Sequence, residues 1–362
     1  MAEKECAVIA LNDLSVELLS TQCVEEISNL LDHPEYDVRC AAIEASAFFL
    51  IAYHKAGTPE GTQKFKESVQ AYLNRLVDYI VEEEEHQVVI AALDAMTELL
   101  KQCKNAVTEG AGHCEIIVGC VQKIMKGECA SQDTEAEEGG EEEEAEQDEM
   151  LFEYAGEVLP NLGRALTPQA FAPYFTGFLP ILLKKTKKQC SVAEKSFAVG
   201  LIADSIEPLA GVLEPFLPHL LPVFVEMTRD EEDDCRNNAV YGLGELILWG
   251  GVVMEQHYTA VLATLAQLMQ AETSPRVVDQ IVGAVARAVV ANITKIPVVE
   301  LVGAVLANLP LKEDMDEYDM VFKFFSTLFT AQHNSFTSCI PKIVECAGAF
   351  LSSPATDKEK VI

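Results

Sequence analysis

The segment DDCRNNAVYGLGELI (233–247) decides the fold, because its apolar residues recur at the spacing of an α-helix. Cys235, Ala239, Gly242 and Leu246 lie three or four residues apart, which places them on one helix face. The run of acids just before them favours the positive N-terminal end of a helix dipole. The sequence therefore predicts a loop followed by a helix whose apolar face packs against a core.

The same pattern recurs along the chain at a regular interval. It fits DVRCAAIEASAFFL (37–50), HQVVIAALDAMTELL (86–100), PRVVDQIVGAVARAV (275–289) and YDMVFKFFSTLF (318–329). The equivalent positions are Val38, Val88, Cys235, Val277 and Met320, with looser matches at Glu3, Gln147 and Val192. Their successive spacings are 35, 50, 59, 45, 43, 42 and 43 residues.

A period of about 40–47 residues is typical of HEAT-type helical hairpins. We therefore predict an all-α fold, a HEAT-repeat superhelical solenoid of antiparallel helix pairs. About eight units are expected, each with a first and a second helix. Neither end of the sequence has the polar outer face of a terminal repeat, which suggests a piece of a longer array.

The composition excludes several classes of protein. Asp and Glu number 58 against 26 Lys and Arg, for a net charge of −32. This charge repels nucleic acid and anionic membranes and attracts basic partners. The eleven cysteines include no CxxC pair, so we interpret them as buried apolar residues in a reducing compartment. The longest apolar stretch, 280–293, contains a charged Arg287, so we predict no transmembrane helix.

No catalytic or metal-binding motif is present in the sequence. It has no P-loop, no GxSxG elbow and no HExxH helix. The acids DEEDD (230–234) lack the spacing of a calcium loop, and His113, Cys114 and Cys120 match no common zinc spacing. We predict that the chain is not an enzyme and has no cofactor or metal.

The polar face of the predicted second helices is mostly acidic. In the helix predicted from residue 233 onward it consists of Asn238, Tyr241, Glu245 and Trp249, the chain's single tryptophan. The residues at equivalent positions of other repeats are also predicted to bind, and they are Asp94, Glu98, Glu153, Glu157 and Asn161. The loop acid Asp234, just before the equivalent position Cys235, is added to them. Asp13, Glu17 and Glu44 are predicted as secondary binding residues. Such a set would form an acidic ladder on the concave surface of a solenoid. Lys195 and Arg287 interrupt the ladder and are interpreted as its limits.

Two interpretations of this face stay open at the level of sequence. Any surface helix needs a solvated polar face, and acids serve there without a binding role. However, bases are scarce at the equivalent positions, and Trp249 resembles a binding anchor more than a solvated residue. The alternative for Trp249 is packing against the next repeat.

An acidic insert interrupts the repeats. GECASQDTEAEEGGEEEEAEQDE (127–149) contains twelve acids and no base, so we predict a disordered loop between the two helices of one repeat. The predicted organisation is therefore repeats over 1–126, the insert over 127–149, and repeats over 150–362. Without the twelve acids the charge of −32 becomes −20, so the repeats themselves are acidic.

Several stretches carry a resemblance to a known family. They are CSVAEKSFAVGLIADSIE (190–207), RNNAVYGLGEL (236–246), NLPLKEDMDEYDMVFKFFSTL (308–328), and the acidic insert before EMLFEYAGEVLPNLG (149–163). In this order they resemble the C-terminal half of a member of the importin-β (karyopherin-β) family. The resemblance covers most of the chain and is strongest from about residue 150 to residue 330.

The resemblance implies a nuclear transport receptor that moves between cytoplasm and nucleus. Members of the family carry protein cargo, contact nucleoporins and release cargo when Ran-GTP binds their N-terminal repeats, which this stretch does not resemble. The member in question carries ribosomal proteins and core histones three and four, the latter with the histone chaperone Asf. Family members recognise basic signals with inner-face acids, asparagines and tryptophans, and the best-matching positions here are Asn238, Glu245 and Trp249.

From these observations we expect a monomeric solenoid that binds a lysine- and arginine-rich segment, in particular a histone tail, and binds neither nucleic acid nor membrane. Asn238 is expected to hydrogen-bond the cargo backbone, and Trp249 to stack on a cation or an aliphatic stem. The alternative is a HEAT-repeat scaffold that organises an assembly through its convex face, without transport.

Overall fold

The computed structural model describes residues 21–132 and 141–352. In these ranges the chain forms helices and turns, without a β-strand. This confirms the predicted all-α class. By its internal contacts the chain divides into two compact units, residues 1–181 and 182–362, which are described separately.

The helices are numbered in chain order. In the described part of the first unit they are α1 (Thr21–Leu30), α2 (Tyr36–Lys55), α3 (Pro59–Glu82), α4 (His86–Cys103), α5 (Asn105–Thr108), α6 (His113–Lys126), α7 (Glu141–Ala165) and the larger part of α8 (Pro168–Lys185). In the second unit they are α9 (Val192–Asp204), α10 (Leu217–Met227), α11 (Asp233–Trp249), α12 (Gly251–Glu255), α13 (Tyr258–Ala271), α14 (Pro275–Asn292), α15 (Val298–Asn308), α16 (Tyr318–Thr330) and α17 (Phe336–Ser352).

The second helices of the repeats form a row in each unit. In the first unit α2 packs on α4 and α4 on α7; in the second unit α9 packs on α11, α11 on α14 and α14 on α16. These are seven of the eight predicted second helices. The eighth, with Glu3, and the secondary binding residues Asp13 and Glu17 lie outside the described residues.

The predicted core face of α11 is confirmed. Cys235, Ala239 and Leu246 are fully buried. Gly242 lies against the Phe224 ring of α10, where a Cβ atom would overlap the ring. A glycine is therefore required at this position because the two helices approach closely.

Arginine side chains at two equivalent positions bind the neighbouring repeat. The Arg39 guanidinium donates to the backbone oxygens of His33 and Pro34, 3.0 Å each, and pairs with Glu83 at 3.0 Å. Arg236 likewise donates to two carbonyls in the turn before α11 and binds both oxygens of Glu272, at 2.8 and 3.0 Å. Each arginine begins a second helix and fixes the turn of the next repeat, so it sets the spacing between the two repeats.

Part of the acidic insert is helical in the described residues. Residues Ala130–Gln132 form a 3-10 turn after α6, with Ser131 buried, and α7 begins at Glu141. Glutamate is a good helix former and favours the first turns of a helix, which explains why α7 reaches into the insert. The disorder predicted for the insert stays a prediction. Residues 133–140 of the predicted insert lie outside the described residues, and the division of the chain at the insert stays a prediction.

Two features are absent from the described ranges. No helix there is long and apolar enough to cross a membrane. No group of three or more His, Cys, Asp or Glu side chains there is arranged to hold a metal ion.

Candidate binding surfaces on the second helices

The first unit presents four acids on two neighbouring second helices, and we call them the α4–α7 acidic face. Asp94 and Glu98 lie one helical turn apart on α4, and Glu153 and Glu157 lie one turn apart on α7. Asp94, Glu153 and Glu157 are exposed, and Glu98 is half-buried. Glu98 forms a loose ion pair of 3.5 Å with Lys101 on the same helix.

The electrostatics of this face are dominated by like charges. Partial burial raises the pKa of Asp94. The Glu98 and Glu157 carboxylates raise it further, and Lys101 lowers it. Partial burial and then Glu157 raise the pKa of Glu153. Asp94 on α4 therefore responds to Glu157 on α7, so the acids of the two helices act on one another. A bound cation would relieve the repulsion.

Two other predicted residues of the first unit have different surroundings. Asn161 is buried, and its side-chain amide donates to the Glu157 backbone oxygen at 2.7 Å, so it is not an exposed binding residue. Glu44 on α2 is half-buried and interacts electrostatically with Tyr72, whose pKa is raised mainly by burial.

In the second unit the predicted ladder is built into an internal network, which we call the Arg287 cluster. The Arg287 guanidinium on α14 pairs with Glu245 on α11 at 2.7 Å and with Glu317 at 2.6 and 3.0 Å. Glu245 and Glu317 are 6% and 5% exposed, so the prediction that Glu245 lies on a solvated face is wrong. Its position is polar because it must neutralise an arginine from the next repeat.

Three more polar side chains complete the Arg287 cluster. The Trp249 indole N–H donates to the second Glu245 oxygen at 3.0 Å, and the Gln280 amide donates to Glu317 at 2.8 Å. The Tyr241 ring lies 5.1 Å from the Arg287 guanidinium carbon, and its hydroxyl donates to Asp204 at 3.2 Å. Burial, Glu245 and Asp204 raise the pKa of Tyr241, so its hydroxyl keeps its proton.

The remaining predicted residues of the second unit also have partners within the unit. The Asn238 amide donates to the Ser196 backbone oxygen at 2.8 Å and thereby joins α11 to α9. Asp234 forms an exposed pair with Arg276 at 2.5 Å. Trp249 is 36% exposed, so part of its ring faces solvent.

Lys195 and Arg287, the predicted limits of the acidic ladder, both form ion pairs. Lys195 binds Asp230 at 2.9 Å in the turn of the following repeat. A signal for the Arg287 pair was present in the sequence: Glu245 and Arg287 each lie ten residues after their equivalent positions, Cys235 and Val277. Opposite charges at one position of adjacent repeats indicate a pair between the repeats.

Sequence reasoning missed the buried Asp279. One of its carboxylate oxygens accepts the backbone N–H groups of Lys312, Glu313 and Asp314, at 2.7, 2.7 and 3.1 Å. No motif in the sequence signals this contact, because its donors are backbone groups of the loop before α16.

Comparison with known proteins places the chain in a family. No family model matches it. Human importin-4 is 35% identical over 361 residues, which cover 97% of this chain and 33% of that protein. The chain belongs to the importin-β family. The probable importin subunit beta-4 of Schizosaccharomyces pombe is 26% identical over 226 residues, covering 61% of this chain and 21% of that protein.

Solved structures of the importin-β family share the fold. Kap121p bound to RanGTP has a TM-score of 0.69 at 14% identity, covering 92% of this chain and 31% of that one. Importin beta has a TM-score of 0.65 at 16% identity, covering 89% of this chain and 41% of that one. These likenesses confirm the HEAT-repeat solenoid. The chain spans about a third of the length of human importin-4.

Proposed function

We propose that this chain is part of a nuclear transport receptor that moves between cytoplasm and nucleus. The proposal is supported by the similarity to importin-4 and by the shared fold. Kap121p has been solved with RanGTP and with the proteins Ste12p and Ulp1p, so a protein of this fold binds RanGTP and other proteins. For this chain, Ran-GTP and nucleoporins are proposed partners of the complete receptor.

The part of that function assigned to this chain is the binding of basic cargo. The observation that carries the proposal is the α4–α7 acidic face, where four acids from two repeats lie near one another with a single loosely held lysine. In the second unit, by contrast, Glu245 lies at the position equivalent to Glu98 and Glu157 and pairs with Arg287, and the loop acid Asp234 pairs with Arg276. The proposed site therefore centres on Asp94, Glu98, Glu153 and Glu157.

Affinity at this face is expected to arise from several weak contacts. A single exposed ion pair contributes about 0–1 kcal/mol, so one lysine of the cargo gains little. An extended lysine- and arginine-rich segment can meet all four acids, and its contacts are screened by salt. We propose a histone tail as the segment, with histones three and four, in company with Asf, or ribosomal proteins as the whole cargo.

Trp249 is a separate proposed contact for cargo, in the second unit. Its indole N–H is held by Glu245, so the ring has a fixed orientation, and part of the ring faces solvent. A fixed aromatic ring can stack on a cation or an aliphatic stem, worth about 0.5–2 kcal/mol. The proposed role of Glu245 is therefore to orient Trp249 rather than to bind cargo directly.

The experiment is a titration with a fluorescein-labelled peptide from the tail of histone three, followed by anisotropy. The test variant is Glu153→Lys/Glu157→Lys. The control is Glu226→Lys/Glu300→Lys, which makes the same charge change at exposed acids of the first helices α10 and α15. Reversing the charge of two of the four acids should weaken binding of the peptide by about 5- to 30-fold. The control should change the affinity by less than about 3-fold.

Each outcome decides between hypotheses. An equal loss in both variants would mean that net charge alone attracts the peptide, and the α4–α7 acidic face would be rejected. A loss confined to the control would favour a scaffold that acts through the first helices. A change in Trp249 fluorescence on binding would add the second unit to the cargo surface. Binding that keeps its affinity between about 0.05 and about 0.2 M salt would contradict the mechanism.

A further inference from the structure

A compact basic turn stands out on this acidic chain. Four of the 26 basic residues lie within five positions, in the sequence KKTKK (184–188). This turn joins the end of α8 to the start of α9, and its described residues belong to the second unit. We call it the lysine turn.

Three of the four lysines are uncompensated. Lys185 pairs with Glu194 on α9, and the Lys185 ammonium and the Ser191 amide hold the pKa of Glu194 below its usual value, although partial burial opposes them. Lys184, Lys187 and Lys188 are exposed, and no ion pair to them occurs among the described residues. The lysine turn therefore carries about three net positive charges on a chain of net charge −32.

The backbone of the lysine turn is held by several contacts. Thr186 is buried, and its hydroxyl donates to the Leu183 oxygen at 3.1 Å. The Cys190 N–H donates to the Lys187 oxygen at 3.0 Å, and the Cys190 thiol to the Lys184 oxygen at 3.5 Å. The free lysines thus project from an ordered backbone, and a ligand does not have to order that backbone when it binds.

We propose that the lysine turn is a docking surface for a short acidic segment of a partner protein. Charge complementarity argues for this occupant. Other exposed lysines, such as Lys66 and Lys323, also lack an ion pair among the described residues, but each of them is isolated from other unpaired lysines. Lys184, Lys187 and Lys188, by contrast, lie within five positions of a chain with 58 acids. A run of three or four carboxylates matches three lysine ammonium groups in charge. This surface is distinct from the basic-cargo site proposed above and does not depend on it.

Nucleic acid fits the lysine turn less well than an acidic segment. Single-stranded nucleic acid is bound through aromatic stacking platforms beside the basic groups, and residues 183–191 include no aromatic side chain. A duplex carries one charge per about 1.7 Å and requires an extended basic surface, whereas the chain as a whole is acidic.

The test is anisotropy with a fluorescein-labelled peptide of alternating glutamate and aspartate, titrated with the whole chain. The test variant is Lys184→Glu/Lys187→Glu/Lys188→Glu. The control is Lys66→Glu/Lys126→Glu/Lys323→Glu, which makes the same change at exposed lysines on α3, α6 and α16. A third variant, Lys184→Gln/Lys187→Gln/Lys188→Gln, removes the attraction without adding repulsion. Circular dichroism would check that all three remain helical.

The expected result is a loss of affinity of at least about tenfold, or about 1.4 kcal/mol, in the test variant. The glutamine variant should lose less than the test variant, and the control less than about threefold. An equal loss in test and control variants would overturn the proposal, because it would show only a response to net charge. It would also be overturned if the wild type did not bind the peptide, or bound a single-stranded oligonucleotide more tightly than the peptide.

Discussion

Arg287→Met should destabilise the second unit strongly. The Arg287 side chain is 7% exposed and is bound to Glu245 and Glu317, whose side chains are 8% and 7% exposed. Methionine fills a similar length with apolar atoms, so the packing volume is largely retained. The change leaves two buried carboxylates without their cation. The cost is therefore electrostatic, and its size follows from the burial of the two acids.

Removing one partner of a buried ion pair costs about 3–5 kcal/mol. For a unit of this size, each kcal/mol lowers the melting temperature by about 2–4 °C, so a loss of roughly 6–20 °C is expected. Trp249 is the chain's single tryptophan, and its indole bonds Glu245, so its fluorescence reports unfolding of the second unit alone. The assay is thermal and urea unfolding followed by this fluorescence and by circular dichroism.

A compensated variant tests the electrostatic explanation. In Arg287→Met/Glu245→Gln/Glu317→Gln no charge remains, while each glutamine can still accept the bond from Trp249 or Gln280. At least half of the lost stability should return, because replacing a buried ion network by neutral groups is often neutral or stabilising. A single variant that loses less than about 1 kcal/mol, or a triple variant as unstable as the single one, would refute this account of the Arg287 cluster.

Four further substitutions test other positions, each by thermal unfolding. Arg236→Ala should cost on the order of 2 kcal/mol at neutral pH; because Arg236 lowers the pKa of Glu272 from 4.5, the difference from wild type should shrink as pH falls below that value. Gly283→Ala should cost about 1–3 kcal/mol, because its Cβ would overlap the Glu317 carboxylate, whereas Gly303→Ala, with open space around it, should stabilise by about 0.5–1 kcal/mol. Asp279→Ala should cost about 2 kcal/mol and speed hydrogen exchange at the amides of 312–314; unchanged exchange would show that Asp279 does not hold the loop.

The fold could be predicted from the sequence because the repeat is expressed in apolar residues. A fully buried position such as Cys235 or Val277 must be apolar in any helix that packs on both neighbours, so helical periodicity reveals it. The start of α7 was less predictable. Its first residues are glutamates, for which helix propensity and like-charge repulsion act in opposite directions.

The polar residues were harder to assign because polarity does not distinguish a solvated side chain from a paired one. Glu245 and Glu157 look alike in the sequence, yet Glu245 is buried against Arg287 and Glu157 is exposed. Asn161 bonds the carbonyl of its own helix, and nothing in its neighbours along the chain indicates this. Whether an acid such as Glu245 or Glu157 is solvated or paired depends on the side chain that the adjacent helix presents.

The repeat register gives a physical reason to place basic cargo on the first unit. Glu98, Glu157, Glu245 and Arg287 all lie ten residues after the equivalent positions of their repeats. In the second unit adjacent repeats present opposite charges there, and Glu245 and Arg287 form a buried pair. In the first unit adjacent repeats present like charges, and Glu157 helps to raise the pKa of Asp94 across the helix boundary. Like charges at this position destabilise the free protein, since nothing within the described unit fully neutralises them. A basic segment bound across α4 and α7 would take the place that Arg287 has in the second unit. The pKa of Asp94 should then fall when the histone peptide binds, so binding in acidic solution, where this carboxyl is partly protonated, should release protons, and Asp94→Asn should reduce that release.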